Sequence, residues 1–216
     1  MAMEGQPLML TDVLLVDKPS GITSFDVIRR LRKKLGITKM GHAGTLDPLA
    51  SGLLIIGVGS GTKKLHALAG LSKVYEAEIL LGTKTDTGDV TGKVVMSIPV
   101  KEHSPGEIKK ALHSLVGTVT LAVPLYSAVK QKGKPLYRYA REGKSVTVPM
   151  SEMEVHEAML LSIEGAILKV RFDVGSGTYI RSLAEELGER LGIVATLKNL
   201  RRVSIGKYKV DDARKV

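Results

Sequence analysis

The stretch Gly41–Gly52, "GHAGTLDPLASG", sets one carboxylate, Asp47, among glycines and alanines, with a lone histidine, His42, and no second acid. Glycine lets backbone turn sharply and approach a ligand closely, so such a stretch suits a single acid that must reach a bulky substrate. "GLLIIGVG", residues 52–59, follows at once and reads as a buried apolar strand. One end of the loop is thereby fixed on a rigid element, the usual support for an accurately placed side chain. Arg181, in "TYIRSLAEELGERLG", stands near the start of a predicted helix, where the macrodipole favours acids. Something else must hold that guanidinium, and Asp47 is one candidate. Taken out of context, His42 reads as a structural or exposed histidine.

Other motifs suggest chemistry and then fall short. "GVGSGTKK", residues 57–64, has Thr62 where a Walker loop needs the glycine before its lysine, and its GxG lacks the third glycine of a dinucleotide fingerprint. A strand-to-helix turn is the expected reading. "DTGD", with Asp86 and Asp89, lacks the remaining oxygen ligands of a calcium loop and is expected as a solvated turn. "KQKGKP", residues 130–135, is a basic loop suited to phosphate contact.

Composition narrows the partners. The 216 residues carry 32 Lys and Arg against 22 Asp and Glu, a net charge of +10, which favours a polyanion because each phosphate neutralised releases counterions. With no Trp and two Phe, stacking of many successive bases is excluded, but selective handling of one or two is not. The absence of cysteine excludes disulfides, thiolate nucleophiles and cysteine-bound zinc. Five scattered histidines show no HExxH spacing, so no metal is expected. No run approaches the ~18 apolar residues of a membrane span, and residues 1–10 lack the pattern of a signal peptide. A cytoplasmic protein is expected.

The elements that must position Asp47 and Arg181 follow from periodicity. "DVLLVDKP" reads as a strand stopped by Pro19. In "TSFDVIRRLRKKLG", Thr23 and Asp26 have capping-box spacing, Val27, Ile28, Leu31 and Leu35 form an apolar stripe, and Gly36 ends the helix. Its other face carries Arg29, Arg30, Arg32, Lys33 and Lys34, by default solvated and also suited to a phosphate backbone. Residues 41–52 are expected as a loop, "TKKLHALAG" as a short helix, and "KVYEAEILLG" as a strand with Tyr75 facing inward. "TKTDTGDVTG" reads as a polar loop before a strand at "KVVMSI"; "SPGEIKKALHSLVG" is a helix capped by Ser104 and Glu107. Beyond Pro124, "KPLYRYAREGK" reads as a short helix, and residues 152–163 and 166–174 as a hairpin turning at Glu164 and Gly165. The segment holding Arg181 is a helix with Leu183, Leu187 and Leu191 on one stripe, and "LKNLRRVSIGKYKV" a closing basic strand region. One mixed α/β domain fits, its strands too often adjacent for a doubly wound parallel sheet.

Several segments together resemble one family, the bacterial TruB-type tRNA pseudouridine synthases. "DKPSGITSFDVIRRLRKKLG", "KMGHAGTLDPLASGLLIIGVGSGTKK", "KVYEAEILLGTKTDTGDVTG", "VPLYSAVKQKGKPLYRYAREG" and "GTYIRSLAEELGERLG…LKNLRR" fall in the family's order over about residues 11–210. The resemblance implies the pseudouridine synthase fold, a mixed, mainly antiparallel sheet flanked by helices (α+β), with residues 1–10 a tail and residues 11–216 the catalytic domain. Family members usually continue into a further RNA-binding domain, often of the PUA type, and in a departure from that pattern no such C-terminal domain is expected here. It implies conversion of the T-loop uridine at tRNA position 55 to pseudouridine: the base leaves C1′, turns and is rejoined through C5, without cofactor or metal. Asp47 matches the catalytic acid, as nucleophile or as base toward a sugar proton, two roles left open here. No second carboxylate is needed, unlike glycosidase chemistry. Arg181 is implied as the charge that keeps Asp47 ionised.

Tyr75 matches the tyrosine that packs on the flipped base and accepts or relays the C5 proton. His42 matches the residue that fills the vacated place of that base, and Tyr179 and Leu200 match positions lining the uracil pocket. The basic segments 29–34, 130–134 and 198–209 are candidates for gripping RNA backbone. The implied partner is the tRNA T arm, with no membrane, no obligatory protein partner and a monomeric chain. Two rival readings are a guide-RNA-dependent relative working in a ribonucleoprotein, which the "GHAGTLDPLASG" form disfavours, and a noncatalytic RNA-binding protein, against which Asp47, Tyr75 and Arg181 argue.

Overall fold

The computed structural model describes residues 12–216; the tail expected over residues 1–10 lies outside them. In chain order the elements begin with β1 (Val13–Lys18), α1 (Ser24–Leu35), β2 (Met40–Ala43), β3 (Ser51–Val58) and α2 (Leu65–Ala69). There follow β4 (Lys73–Leu81), β5 (Thr83–Thr85), β6 (Val94–Ser97), α3 (Pro105–Ser114), β7 (Gly117–Ala122), β8 (Lys130–Gln131), β9 (Lys134–Pro135) and α4 (Leu136–Arg141). The last are β10 (Met150–Glu164), β11 (Ile167–Val174), α5 (Ile180–Arg190), β12 (Ala195–Ile205), β13 (Tyr208–Lys209) and β14 (Arg214–Lys215). Two compact units result, one of residues up to Leu71 together with Lys207–Val216, the other Ser72–Gly206. No helix among the described residues is long and apolar enough to cross a membrane.

In the first unit β1 pairs parallel with β14 and antiparallel with β3, and β2 lies antiparallel on β3. Along 55–57 β3 therefore has a neighbour on each side, which is why its sequence is apolar without alternation. Val27 and Ile28 of α1 close over Val16, Met40, Leu54, Ile56 and Val58, burying the stripe read from the sequence. The expected cap is present: Thr23 Oγ1 accepts from Asp26 N at 3.0 Å, Asp26 Oδ2 accepts from Thr23 N at 2.8 Å, and Gly36 closes the helix at φ 68°.

Residues 41–43, expected as loop, belong to β2, so His42 stands on a strand opposite Ile56. The strand read over 52–59 runs 51–58, because Gly59 turns left-handed at φ 56° and opens a 3-10 segment over Gly59–Lys64. There the backbone of Gly61 presses so closely on that of Asp12 that a Cβ would fall 1.6 Å from the Asp12 carbonyl oxygen. Only a residue without a side chain fits there, which accounts for glycine at position 61.

The second unit is an antiparallel sheet in the order β12-β4-β11-β10-β7. Tyr75, Ala77, Ile79 and Leu81 of β4 face its interior as the alternation foretold. Helix α5 packs on β12 and β4, and α3 on β10, giving an α/β fold with a largely antiparallel sheet flanked by helices. Strand β12 breaks register with β4 twice, between Leu197 and Asn199 and between Arg202 and Ser204. The β10–β11 turn lies at Gly165 and Ala166, one residue later than expected. The basic loop at 130–135 is a two-residue hairpin: Lys132 at φ 48° and Gly133 at φ 79° supply the left-handed pair that such a turn requires. In the "DTGD" turn Asp89 is buried rather than solvated. Its Oδ1 accepts from Thr91 N at 2.9 Å, from the Thr91 hydroxyl at 2.5 Å and from the Thr87 hydroxyl at 3.1 Å, which ties the turn together from within.

Candidate active site

The residues singled out in the sequence fall on both units: His42 and Asp47 on the first, Tyr75, Tyr179, Arg181 and Leu200 on the second. Asp47 is half-buried on the loop between β2 and β3, and that loop is clamped along its length. On its N-terminal side, Leu46 N donates to Ser24 Oγ at 2.9 Å and the Ser24 hydroxyl donates to Leu46 O at 3.2 Å. On its C-terminal side, Gly21 N donates to Pro48 O at 2.8 Å and the Ser20 hydroxyl to Leu49 O at 2.6 Å. Lys18, with no exposed surface, donates from Nζ to Ile22 O at 2.6 Å and Pro19 O at 3.0 Å, and reaches Pro48 O at 3.5 Å. Its ammonium thus links the segment after β1 to the residue following Asp47. An acid held by backbone on both sides has its direction set before any ligand arrives.

On the second unit Tyr75 is buried, at 7% exposure, between Phe172 on β11 and Arg202 on β12. Leu200 pairs with Ala77 and so lies diagonally from Tyr75 on the same face of the sheet. Arg202 shares that face and is 1% exposed. It is therefore withdrawn from the basic segment 198–209 expected to grip RNA backbone. The neighbouring Lys73 ammonium is pushed down to about 8, first by the burial of Lys73 itself and then by the charge of Arg202.

Tyr179 is the N-cap residue of α5 and Arg181 lies in its first turn. Arg181 is buried, and its guanidinium forks onto two carbonyls, donating from Nη1 to Thr87 O at 2.8 Å and from Nη2 to Tyr126 O at 3.0 Å. Gly88 closes over it at φ 75°, with space for no more than van der Waals contact between an added Cβ and Arg181. These carbonyls, from the turn after β5 and the segment after β7, supply the holding that its place at a helix N-terminus demanded. Burial raises the carboxyl of Glu185, one helical turn along, above its ordinary range, while Lys84 and Arg181 oppose that rise.

Sequence reasoning missed Lys18, Ser24, Thr87, Tyr126 and Arg202. The first and last are cations, which by type belong on the surface. The only signal for Lys18 was its place between the apolar strand and "PSG", and Thr87 and Tyr126 act through backbone oxygens that any residue carries.

Comparison with known proteins adds a second line of observation. Residues 32–180 match the family described as TruB family pseudouridylate synthase (N terminal domain). The chain is 43% identical, over 96% of its length and 67% of the relative's, to tRNA pseudouridine synthase B of Aromatoleum aromaticum. It is 42% identical to the protein of that name from Thermotoga petrophila, over 94% of the chain and 66% of the relative. The chain thus spans about two thirds of the length of these curated relatives. Among solved structures, the chain resembles one in a Cbf5-Nop10-Gar1 complex with TM-score 0.74 and 29% identity, over 94% of this chain and 52% of that one. A second neighbour, from an H/ACA RNP bound to a substrate RNA containing 2'-deoxyuridine, gives TM-score 0.71 and 26% identity, over 94% and 50%.

Proposed function

The chain belongs to the TruB family of pseudouridylate synthases, and on that premise we propose that it isomerises a uridine of tRNA to pseudouridine with Asp47 as its catalytic carboxylate. The substrate is the T-loop uridine at tRNA position 55, which the family resemblance implies, and Asp47 is the catalytic acid by its place in "GTLDP". The chain acts in the cytoplasm as a monomer, without obligatory protein partner, cofactor or metal. The observation that carries the reading is the clamped loop: a single acid held on its N-terminal side by Ser24 and on its C-terminal side by Gly21 and Ser20, with the buried Lys18 reaching Pro48.

In this reading the base is extruded from its stack, at a cost of a few kcal/mol. The N1–C1′ bond breaks, the base turns, a C5–C1′ bond forms, and the proton at C5 leaves as N1 gains one; nothing is oxidised or reduced. Asp47 acts ionised, as nucleophile or as base toward a sugar proton, with Arg181 supplying the positive charge that favours its anionic form. Tyr75 and Leu200 pack on the extruded uracil with Tyr179, and Tyr75 takes or relays the C5 proton. His42 fills the place the base vacates. Action without a guide RNA is supported by the 42–43% identity to bacterial tRNA enzymes against 26–29% to the ribonucleoprotein components.

The purified chain alone, incubated with unmodified tRNA transcript, is expected to form pseudouridine at the single T-loop uridine. Asp47→Asn is expected to abolish the product while tRNA binding survives. Product at several unrelated uridines would reject the substrate; binding with no product in the unaltered chain would reject catalysis.

A further inference from the structure

The chain has two phenylalanines, and they are treated oppositely. Phe172 is wholly buried, whereas Phe25 is 52% exposed on the first turn of α1. Two guanidiniums lie over its ring, Arg29 with its carbon 5.8 Å and Arg32 5.6 Å from the centroid. The spacing 25, 29, 32 brings the three side chains onto one helix face. Both arginines are fixed from elsewhere: Arg29 pairs with Asp26, which Thr23 also engages, and Arg32 Nη2 donates to Met40 O at 3.2 Å. Arg32 Nε is shielded from solvent without a hydrogen-bond partner among the described residues. The ring is thus held by cations on a rigid turn, yet half of it still faces water.

Its place in the unit gives that exposure meaning. Ser24, the preceding residue, exchanges both hydrogen bonds with Leu46, the residue before Asp47. The ring and the acid are therefore fixed to the same clamp, one residue away from it on either strand of the chain. Arg30, Lys33 and Lys34 continue the exposed basic face along α1.

We propose that Phe25, with Arg29 and Arg32, forms a stacking platform for one unpaired RNA base beside the nucleotide that Asp47 acts on. The inference rests on the reading of the chain as an RNA uridine isomerase. Unpaired bases are recognised by stacking on aromatic rings and guanidinium planes, and a single platform of this kind suits a chain too poor in aromatics to stack a long single strand. The platform holds a base splayed from the same folded loop whose uridine is extruded, so that the RNA is gripped on both sides of the flipped position.

The test measures binding of an unmodified T-arm hairpin RNA, and pseudouridine formation in it, for the unaltered chain and for Phe25→Leu, Phe25→Tyr and Arg30→Gln. Phe25→Leu, which keeps apolar bulk at a half-exposed position and is expected to melt with the unaltered chain, is expected to weaken binding about tenfold or more, with Phe25→Tyr near the unaltered value. The slope of log affinity against log salt stays unchanged in Phe25→Leu and falls by about one in Arg30→Gln, separating stacking from phosphate contact. Hairpins with an abasic nucleotide at each T-loop position in turn identify the stacked base: at one position the loss from Phe25→Leu disappears. Equal binding by Phe25→Leu and the unaltered chain, or a loss undiminished at every abasic position, overturns the platform while conversion of the hairpin leaves the enzymatic reading standing. An unaltered chain that neither binds nor converts the hairpin overturns both.

Discussion

Replacing Ser24 by alanine removes one oxygen from a side chain that is 2% exposed, and leaves both backbone groups of Leu46, itself 3% exposed, without their partner. Each buried group so orphaned costs about 1–3 kcal/mol. The N–H bond at 2.9 Å has good length and the O–H bond at 3.2 Å is long, so the sum falls at about 2–4 kcal/mol. Alanine in a helical first turn adds no propensity cost of its own. For a chain of this size that loss corresponds to a fall in Tm of roughly 4–16 °C. Ser20→Ala makes the same chemical change a few residues away, where the Leu49 carbonyl is bonded at 2.6 Å by an exposed hydroxyl that water can replace; its expected cost is within about 0.5 kcal/mol. The second readout is single-turnover pseudouridine formation below either melting transition. Freed at Leu46, Asp47 loses its fixed direction, and a displacement of about 1 Å costs on the order of 100-fold in rate. A Ser24→Ala chain that melts with the unaltered protein and converts RNA at its rate would refute the claim that this clamp positions the acid.

Arg181→Lys replaces a fork that spans Thr87 O and Tyr126 O by a single ammonium; the rate of conversion is expected to fall on the order of 100-fold with RNA binding retained, and full activity would show that charge alone suffices. Lys73, pushed down to about 8, has a folded value below its unfolded value of about 10.4, so below about pH 8 both states hold the proton and between these limits the unfolded chain holds more of it. Stability from denaturant unfolding is therefore expected to rise from about pH 8 to about pH 10.4 relative to Lys73→Met; parallel curves for the two chains would contradict the burial of that charge.

Much of the fold was legible because its signals are local. The Thr23–Asp26 box, the Gly36 stop, the alternation of β4 and the Ser104–Glu107 cap each lie within a few residues and appear where they were expected. Strand β2 was hidden because "MGHA" is too short and too glycine-rich to carry a period, and pairs only because β3 offers it an edge. Asp47 stood out by isolation, and Arg181 by its misfit with the helix dipole. The clamp around Asp47 was not legible: buried Lys18 and Ser24 are polar types whose bonds reach across 30 and 22 residues to carbonyls with no side-chain signature. Arg202 was read as part of a basic surface for the same reason, since charge in a sequence says nothing of which side of a sheet it faces.

The two breaks in β12 carry a further consequence. Leu197, Leu200, Arg202 and Ile205 all point indoors, each 6% exposed or less, although steps of three, two and three residues obey no pleat. Each slip resets the parity of the strand, so Lys198 and Val203 act as spacers that keep four unevenly placed side chains under one roof. Removing Lys198 alone would close the first slip and leave Leu200 in step with Leu197, still opposite Ala77 and indoors, so this spacer accommodates an extra residue without turning the strand over.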